Sequence, residues 1–202
     1  MMGETGKQHK VTLTKDFHIG VFEVTQGQWE KLMKTNPSNF KDVGKGAPVE
    51  KVSWDDCQDF MKKMNGKSKS LGFRLPTEAE WEYACRAGTE GDIYGENLDE
   101  IAWYDKNSDK TTHEVGKKKP NAWGLYDMLG NVWEWCSDWY GEYTKGQDKD
   151  PVGPRTGSSR VIRGDCCSDG AVRSYRSTNR DKSPSDYRSC GIGFRIALTA
   201  GQ

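Results

Sequence analysis

Apolar and polar residues alternate at short range near the start of the chain. From Val11 to Val24, the runs VTLT and FHIGVFEV give a period close to two, which predicts two strands. At Thr25 the spacing changes. Thr25 and Gln28 stand three apart, as a capping box requires, and Val24 and Trp29 occupy the staple positions, so a helix begins here and ends before Asn36-Pro37. Residues 36–49 read as a loop. Ser53 then caps a second helix whose Trp54, Cys57, Phe60, Met61 and Met64 share one face, up to a stop at Asn65-Gly66. Thr77 and Glu80 repeat the capping box for a third helix, which Gly88 ends. Residues 89–120 are polar, and their single histidine, His113, reads as a surface side chain.

Asn121 to Tyr140 follows neither period. Large rings (Trp123, Tyr126, Trp133, Trp135, Trp139, Tyr140) are interleaved with Gly124, Gly130, Asp127, Asn131 and Glu134, which predicts a packed but irregular centre rather than a helix or strand. Asp127, Gly130, Val132 and Glu134 admit two readings. Their carboxylates and backbone carbonyls wrap a hard cation, or the carboxylates cap turns and pair with arginine. Beyond a Gly/Pro/Asp-rich loop from Tyr140 to Ser159, RVIRG (Arg160 to Gly164) and GFRIAL (Gly193 to Leu198) read as closing strands. The elements sum to an α+β fold with short helices, small antiparallel sheets and much irregular structure.

Length and charge narrow the class. The 202 residues suit a single domain spanning 1–202, and 30 basic residues cancel 30 acidic ones, which argues against nucleic acid or an anionic membrane as partner. No apolar run is long enough to form a transmembrane segment, and no signal peptide is present. Six cysteines show neither CxxC pairs nor zinc spacing, and Cys57 and Cys85 fall on apolar helix faces.

Three motifs, RLPTEAEWEYACRAG (Arg74 to Gly88), NAWGLYDMLGNVWEWCSDWY (Asn121 to Tyr140) and GIGFRIAL (Gly191 to Leu198), resemble the formylglycine-generating-enzyme family, the sulfatase-modifying-factor domain. The resemblance runs from about His9 to Leu198 and implies a variant of the C-type lectin fold. It also implies calcium at Asp127 and Glu134, through carboxylates, and at Gly130 and Val132, through backbone oxygens. The opening MMG is similar to the interior of the family's first strand, so a trimmed N-terminus and a cell-surface or exported location are expected.

Asp165 to Gly191 changes character. It has one Lys and no Glu, Gln, Met or Trp, although 19 of the 20 lysines precede it, while eight of the ten arginines lie beyond Pro151. A solvated loop draws on Lys and Glu, whereas Ser, Asp, Gly, Cys, Tyr and Arg suit a paratope. One branch of the resembled family, the variable proteins of diversity-generating retroelements of the Treponema type, is rewritten at adenine-containing codons, chiefly AAC. Those codons cannot yield the missing residues. The resemblance thus implies a non-catalytic, diversified ligand site at Asp165, Cys166, Cys167, Ser168, Asp169, Gly170, Arg173, Ser174, Tyr175, Asp181, Ser183, Asp186, Tyr187, Ser189, Cys190 and Gly191. RVIRG, RSTNR and IGFRIAL form its frame, and a protein is the expected ligand.

The rival reading is an oxidase or other redox enzyme using Cys166, Cys167 or Cys190. Against it, the two copper-binding thiols of the family's oxidases align with Asp169 and Ser174. His9, His18 and His113 lack iron-ligand spacing. Neither copper nor iron is therefore expected. Of the cysteines, Cys57, Cys85 and Cys136 are expected to be inert, and Cys166, Cys167 and Cys190 accessible.

Overall fold

The computed structural model describes residues 1–3, 8–67, 71–143, 146–168 and 174–199. The two N-terminal strands form but enter different sheets. β1 (Lys10–Thr12) pairs in parallel with β5 (Gln147–Lys149), and β2 (Phe17–Ile19) lies antiparallel to β9 (Ala197–Thr199). β9 also pairs with β3 (Phe73–Arg74), giving the order β2-β9-β3. Helices α1 (Gln26–Met33) and α3 (Glu78–Arg86) begin at Thr25 and Thr77, each with a complete capping box. Helix α2 (Trp54–Lys67) buries Cys57, Phe60 and Met61 and runs just past its expected stop at Gly66. A short helix, α4 (Leu98–Ile101), lies in the polar region, started by the Asn97 side chain accepting from the Asp99 amide.

The aromatic centre corrects the prediction of irregular chain. Trp133–Trp139 is a strand, β4, the longest among the described residues. It lies between β6 (Arg160–Arg163) and β8 (Ile192–Gly193), and β7 (Arg180–Ser183) pairs outside β6, in the order β7-β6-β4-β8. Trp133 and Trp135 join one core with Trp29, Phe60 and Phe194, while Cys136 joins the other with Trp81, Met128, Leu129 and Tyr175. The period of two is present, but both faces are buried, so no polar alternation marks it.

The closing strand is also corrected. GFRIAL splits between β8 and β9, which belong to different sheets, with Phe194 to Ile196 crossing between them. β7, RDKS, is a polar edge strand and carries no apolar period in the sequence. His113 is half-buried, its ring stacked on Trp103 at 3.8 Å, and not a free surface side chain.

Candidate functional site

Three arginines of the C-terminal third hold the frame. Arg195, fully buried, donates through Nε to Glu134 Oε2 and through Nη2 to Glu134 Oε1, both at 2.6 Å, and through Nη1 to the Gly20 carbonyl at 2.9 Å. Arg163 donates to Glu82 Oε2 at 2.6 Å and to the carbonyls of Ser177 and Thr178, fixing the RSTNR strip. Arg180 reaches both oxygens of Glu78 at 2.7 and 2.6 Å. The arginine enrichment is thus partly structural: Arg195 and Arg180 each satisfy a buried acid in two-pronged geometry that lysine cannot supply, and Arg163 joins a buried acid to two backbone carbonyls.

The residues expected to hold calcium divide. Glu134 is committed: besides Arg195, its Oε2 accepts from Trp81 Nε1 at 2.8 Å, so arginine pairing is the reading the structure supports for it. Asp127 Oδ2 accepts from the Gly116 amide at 2.7 Å, while its buried Oδ1 has no partner among the described residues. Gly130 sits at φ +82°, where a Cβ would fall 2.2 Å from the Trp103 carbonyl oxygen, so only glycine fits. Val132 is buried directly before β4.

A further carboxylate, missed in the sequence, completes this region. Glu23 is 1% exposed, and neither oxygen has a partner among the described residues. Burial, with the charges of Asp127 and Glu134 added, pushes its carboxyl well above the ordinary range against the pull of Arg195. Burial likewise raises Asp127 to about 6. A glutamate within the otherwise strand-like FHIGVFEV was the available signal. Asp127 and Glu23 therefore fit a hard cation, with desolvated, unmatched oxygens whose ionised form a cation would stabilise, whereas both oxygens of Glu134 already accept from Arg195. Among the described residues no three His, Cys, Asp or Glu side chains converge as a metal cluster.

Asp165 to Gly191 separates into pinned and outward positions. Asp165 takes φ +67° and accepts from the Cys166 amide, the Cys167 amide donates to the Asn131 carbonyl, and the Cys167 carbonyl accepts from Ser108 Oγ at 2.6 Å. Tyr175 Oη donates to the Cys166 carbonyl at 2.7 Å, and the Trp133 amide donates to the Gly191 carbonyl. These residues and Ser183 are buried, so the expected accessibility of Cys166 (1% exposed) and Cys167 (0%) is corrected: both thiols are packed inward. Cys57, Cys85 and Cys136 are buried as expected, while Cys190 is half-buried.

Ser168, Asp181, Asp186 and Tyr187 are exposed, and Ser174, Ser189 and Cys190 are partly so. Arg188, with both donors on Asp56 at 2.7 and 2.8 Å, and the Lys51 amide on the Ser189 carbonyl tie this outer loop to the start of α2. Asp169, Gly170 and Arg173 lie outside the described residues. Among the described residues no helix is long and apolar enough to cross a membrane.

Comparison with known proteins bears on this arrangement. The family model for the sulfatase-modifying factor enzyme 1-like domain matches residues 2–200, and the chain belongs to that family. It is 37% identical to a formylglycine-generating enzyme of Streptomyces coelicolor over 179 residues, covering 76% of this chain and 54% of the relative. The chain thus spans about half the length of that relative. Among solved structures, it is similar to Treponema denticola variable protein 1 at a TM-score of 0.90 and 33% identity, covering 98% of this chain and 91% of that one. It also resembles PvdO from Pseudomonas aeruginosa, at a TM-score of 0.84 and 26% identity over 98% of this chain and 90% of that one. The fold is a C-type lectin-like α+β fold of the formylglycine-generating-enzyme kind.

Proposed function

We propose that this member of the sulfatase-modifying factor enzyme 1-like family is a non-catalytic binding protein whose outward residues between Ser168 and Cys190 are diversified contacts for a protein ligand. One observation carries the reading: a segment with retroelement-type composition divides into pinned positions and outward ones that support nothing in the core. By the family resemblance, the positions of the oxidase thiols are held by Asp169 and Ser174, so no thiol pair is available there to bind copper. Cell-surface or exported display belongs to the same proposal.

The test has two arms. Randomising Ser168, Asp181, Asp186, Tyr187 and Ser189 in the displayed protein and selecting on unrelated protein baits is expected to yield folded binders of differing specificity. Incubating the copper-treated protein with a cysteine-containing sulfatase-type peptide is expected to leave the cysteine unchanged by mass spectrometry. Formylglycine in that peptide would overturn the reading in favour of the oxidase, and so would a library without folded binders.

Calcium is a separate part of the proposal, with Asp127 and Glu23 as its carboxylate donors and the Gly130 and Val132 carbonyls as further oxygens. Calcium at about one hundred times its dissociation constant would stabilise the native state by about 2.7 kcal/mol. For a chain of this size that is a rise in Tm on the order of 5 to 10 °C over EDTA-treated protein. Glu23→Gln is expected to lose most of that response. Equal melting of wild type with calcium and with EDTA would mean that protons, not a cation, neutralise these carboxyls.

A further inference from the structure

Cys166 and Cys190 are far apart in sequence, but the fold carries the chain beside Cys190 over Cys166. The chain at Gly191 passes directly over Cys166: a Cβ on Gly191 would lie 2.9 Å from Cys166 Sγ. Cys190 is the next residue back along that chain. Cys167 follows Cys166 directly, and its amide is held by the Asn131 carbonyl. Both sides of the crossing are fixed. Cys166 is held by Tyr175 Oη and by the Asp165 carboxylate, and Gly191 is held by the Trp133 amide and hydrogen-bonded to Ser189 Oγ.

Of the three, Cys190 is the one open to an incoming reagent: it is half-buried, while Cys166 and Cys167 are buried. A disulfide between Cys166 and Cys167 is disfavoured, because consecutive Cα atoms stand about 3.8 Å apart, less than the roughly 4.4 to 6.8 Å usual across a disulfide. Cys190 and Cys166 are not neighbours in sequence, the chain at Gly191 already touches Cys166 Sγ, and the two cysteines stand near the ends of the segment that carries every outward position.

We infer that Cys190 and Cys166 form a disulfide that clasps the two ends of the ligand-binding segment together. It forms by exchange with a low-molecular-weight disulfide. The Cys190 thiolate attacks one sulfur of the reagent, the reagent's S–S bond breaks, and one thiol departs, leaving a mixed disulfide on Cys190. Cys166 then gives up its proton and attacks the Cys190 sulfur, expelling the second reagent thiol. Two protein thiols are oxidised to one disulfide, and the reagent disulfide is reduced to two thiols. The clasp closes Ser168 to Ser189 into a covalent loop, which removes conformations that the open segment would otherwise surrender on binding. This inference does not depend on the identity of the ligand.

The experiment equilibrates the folded protein in glutathione buffers from reducing to oxidising, blocks free thiols, and maps tryptic peptides without reduction. The expected product links the peptide from Gly164 to Arg173 with that from Ser189 to Arg195, and fragmentation places the bond on Cys166. It is expected in wild type and in Cys167→Ser, and not in Cys190→Ser or Cys166→Ser. The oxidised wild type is expected to melt higher than the reduced, and oxidation is expected to leave Cys190→Ser unchanged in melting. Because fragmentation of the wild-type product locates the bond, the assignment stands even where Cys166→Ser fails to fold. No crosslink in oxidising buffer would overturn the inference, and so would a bond placed on Cys167.

Discussion

Arg195→Met is expected to destabilise the protein by about 3 to 5 kcal/mol, the cost of stripping one partner from a buried ion pair. The guanidinium is fully buried and bonds both oxygens of Glu134 as well as the carbonyls of Gly20 and Tyr126. Removing it leaves Glu134 with only Trp81, beside Glu23, neither of whose oxygens has a partner among the described residues, and Asp127, whose Oδ1 has none. Arg195 is also what lowers the pKa of those two groups against burial, so without it both rise further.

The pH dependence follows from this. Asp127 is raised in the folded state from 3.8 to about 6, so between those values the native protein holds a proton that the unfolded chain has lost. Stability therefore falls as pH rises through that interval, and it levels off above it. In the variant the interval extends upward, so its deficit relative to wild type is expected to be larger at pH 8 than at pH 5. Urea denaturation at the two pH values measures both differences. A variant as stable as wild type at pH 8 would show that the guanidinium is not the counter-charge of this cluster.

Local signals are legible in this sequence and non-local ones are not, for physical reasons. Both capping boxes, Thr25 with Gln28 and Thr77 with Glu80, form because each is complete within four residues. The apolar face of α2 is buried as its spacing predicts. β4 was unreadable as a strand because cores on both sides replace the polar face that would reveal the period. GFRIAL looked continuous, yet the chain must leave one sheet for the other to bring Arg195 onto Glu134.

Asp127 and Glu134 lie within one motif, but Glu23 joins them from over a hundred residues away, a proximity no local pattern encodes. Composition marked Asp165 to Gly191 as unusual but not which side chains face inward, since Cys, Tyr and Ser serve in a core or at a surface.

That inward set carries the second large effect. Tyr175→Ala is expected to cost about 3 to 5 kcal/mol, as deletion of a large buried aromatic does. The ring packs edge-on to Tyr104 at 5.3 Å, and its hydroxyl supplies the hydrogen bond to the Cys166 carbonyl, so truncation opens a cavity and releases the turn that carries Cys166 and Cys167. Gly191→Ala is expected to add its own penalty, because the new Cβ would meet Cys166 Sγ at 2.9 Å between two anchored segments. Tyr187→Ala, at a side chain 49% exposed in the same segment, is expected to stay within about 0.5 kcal/mol of wild type. Thermal melts of the three variants give the comparison directly. Replacements at Tyr187, Asp186 and Ser168 are then expected to leave the fold intact, while Tyr175 and Gly191 admit few, so the outward positions are the ones the proposed ligand site can vary. If Tyr175→Ala melts with wild type, the pinned set is not what holds the segment, and the division between frame and contact residues fails.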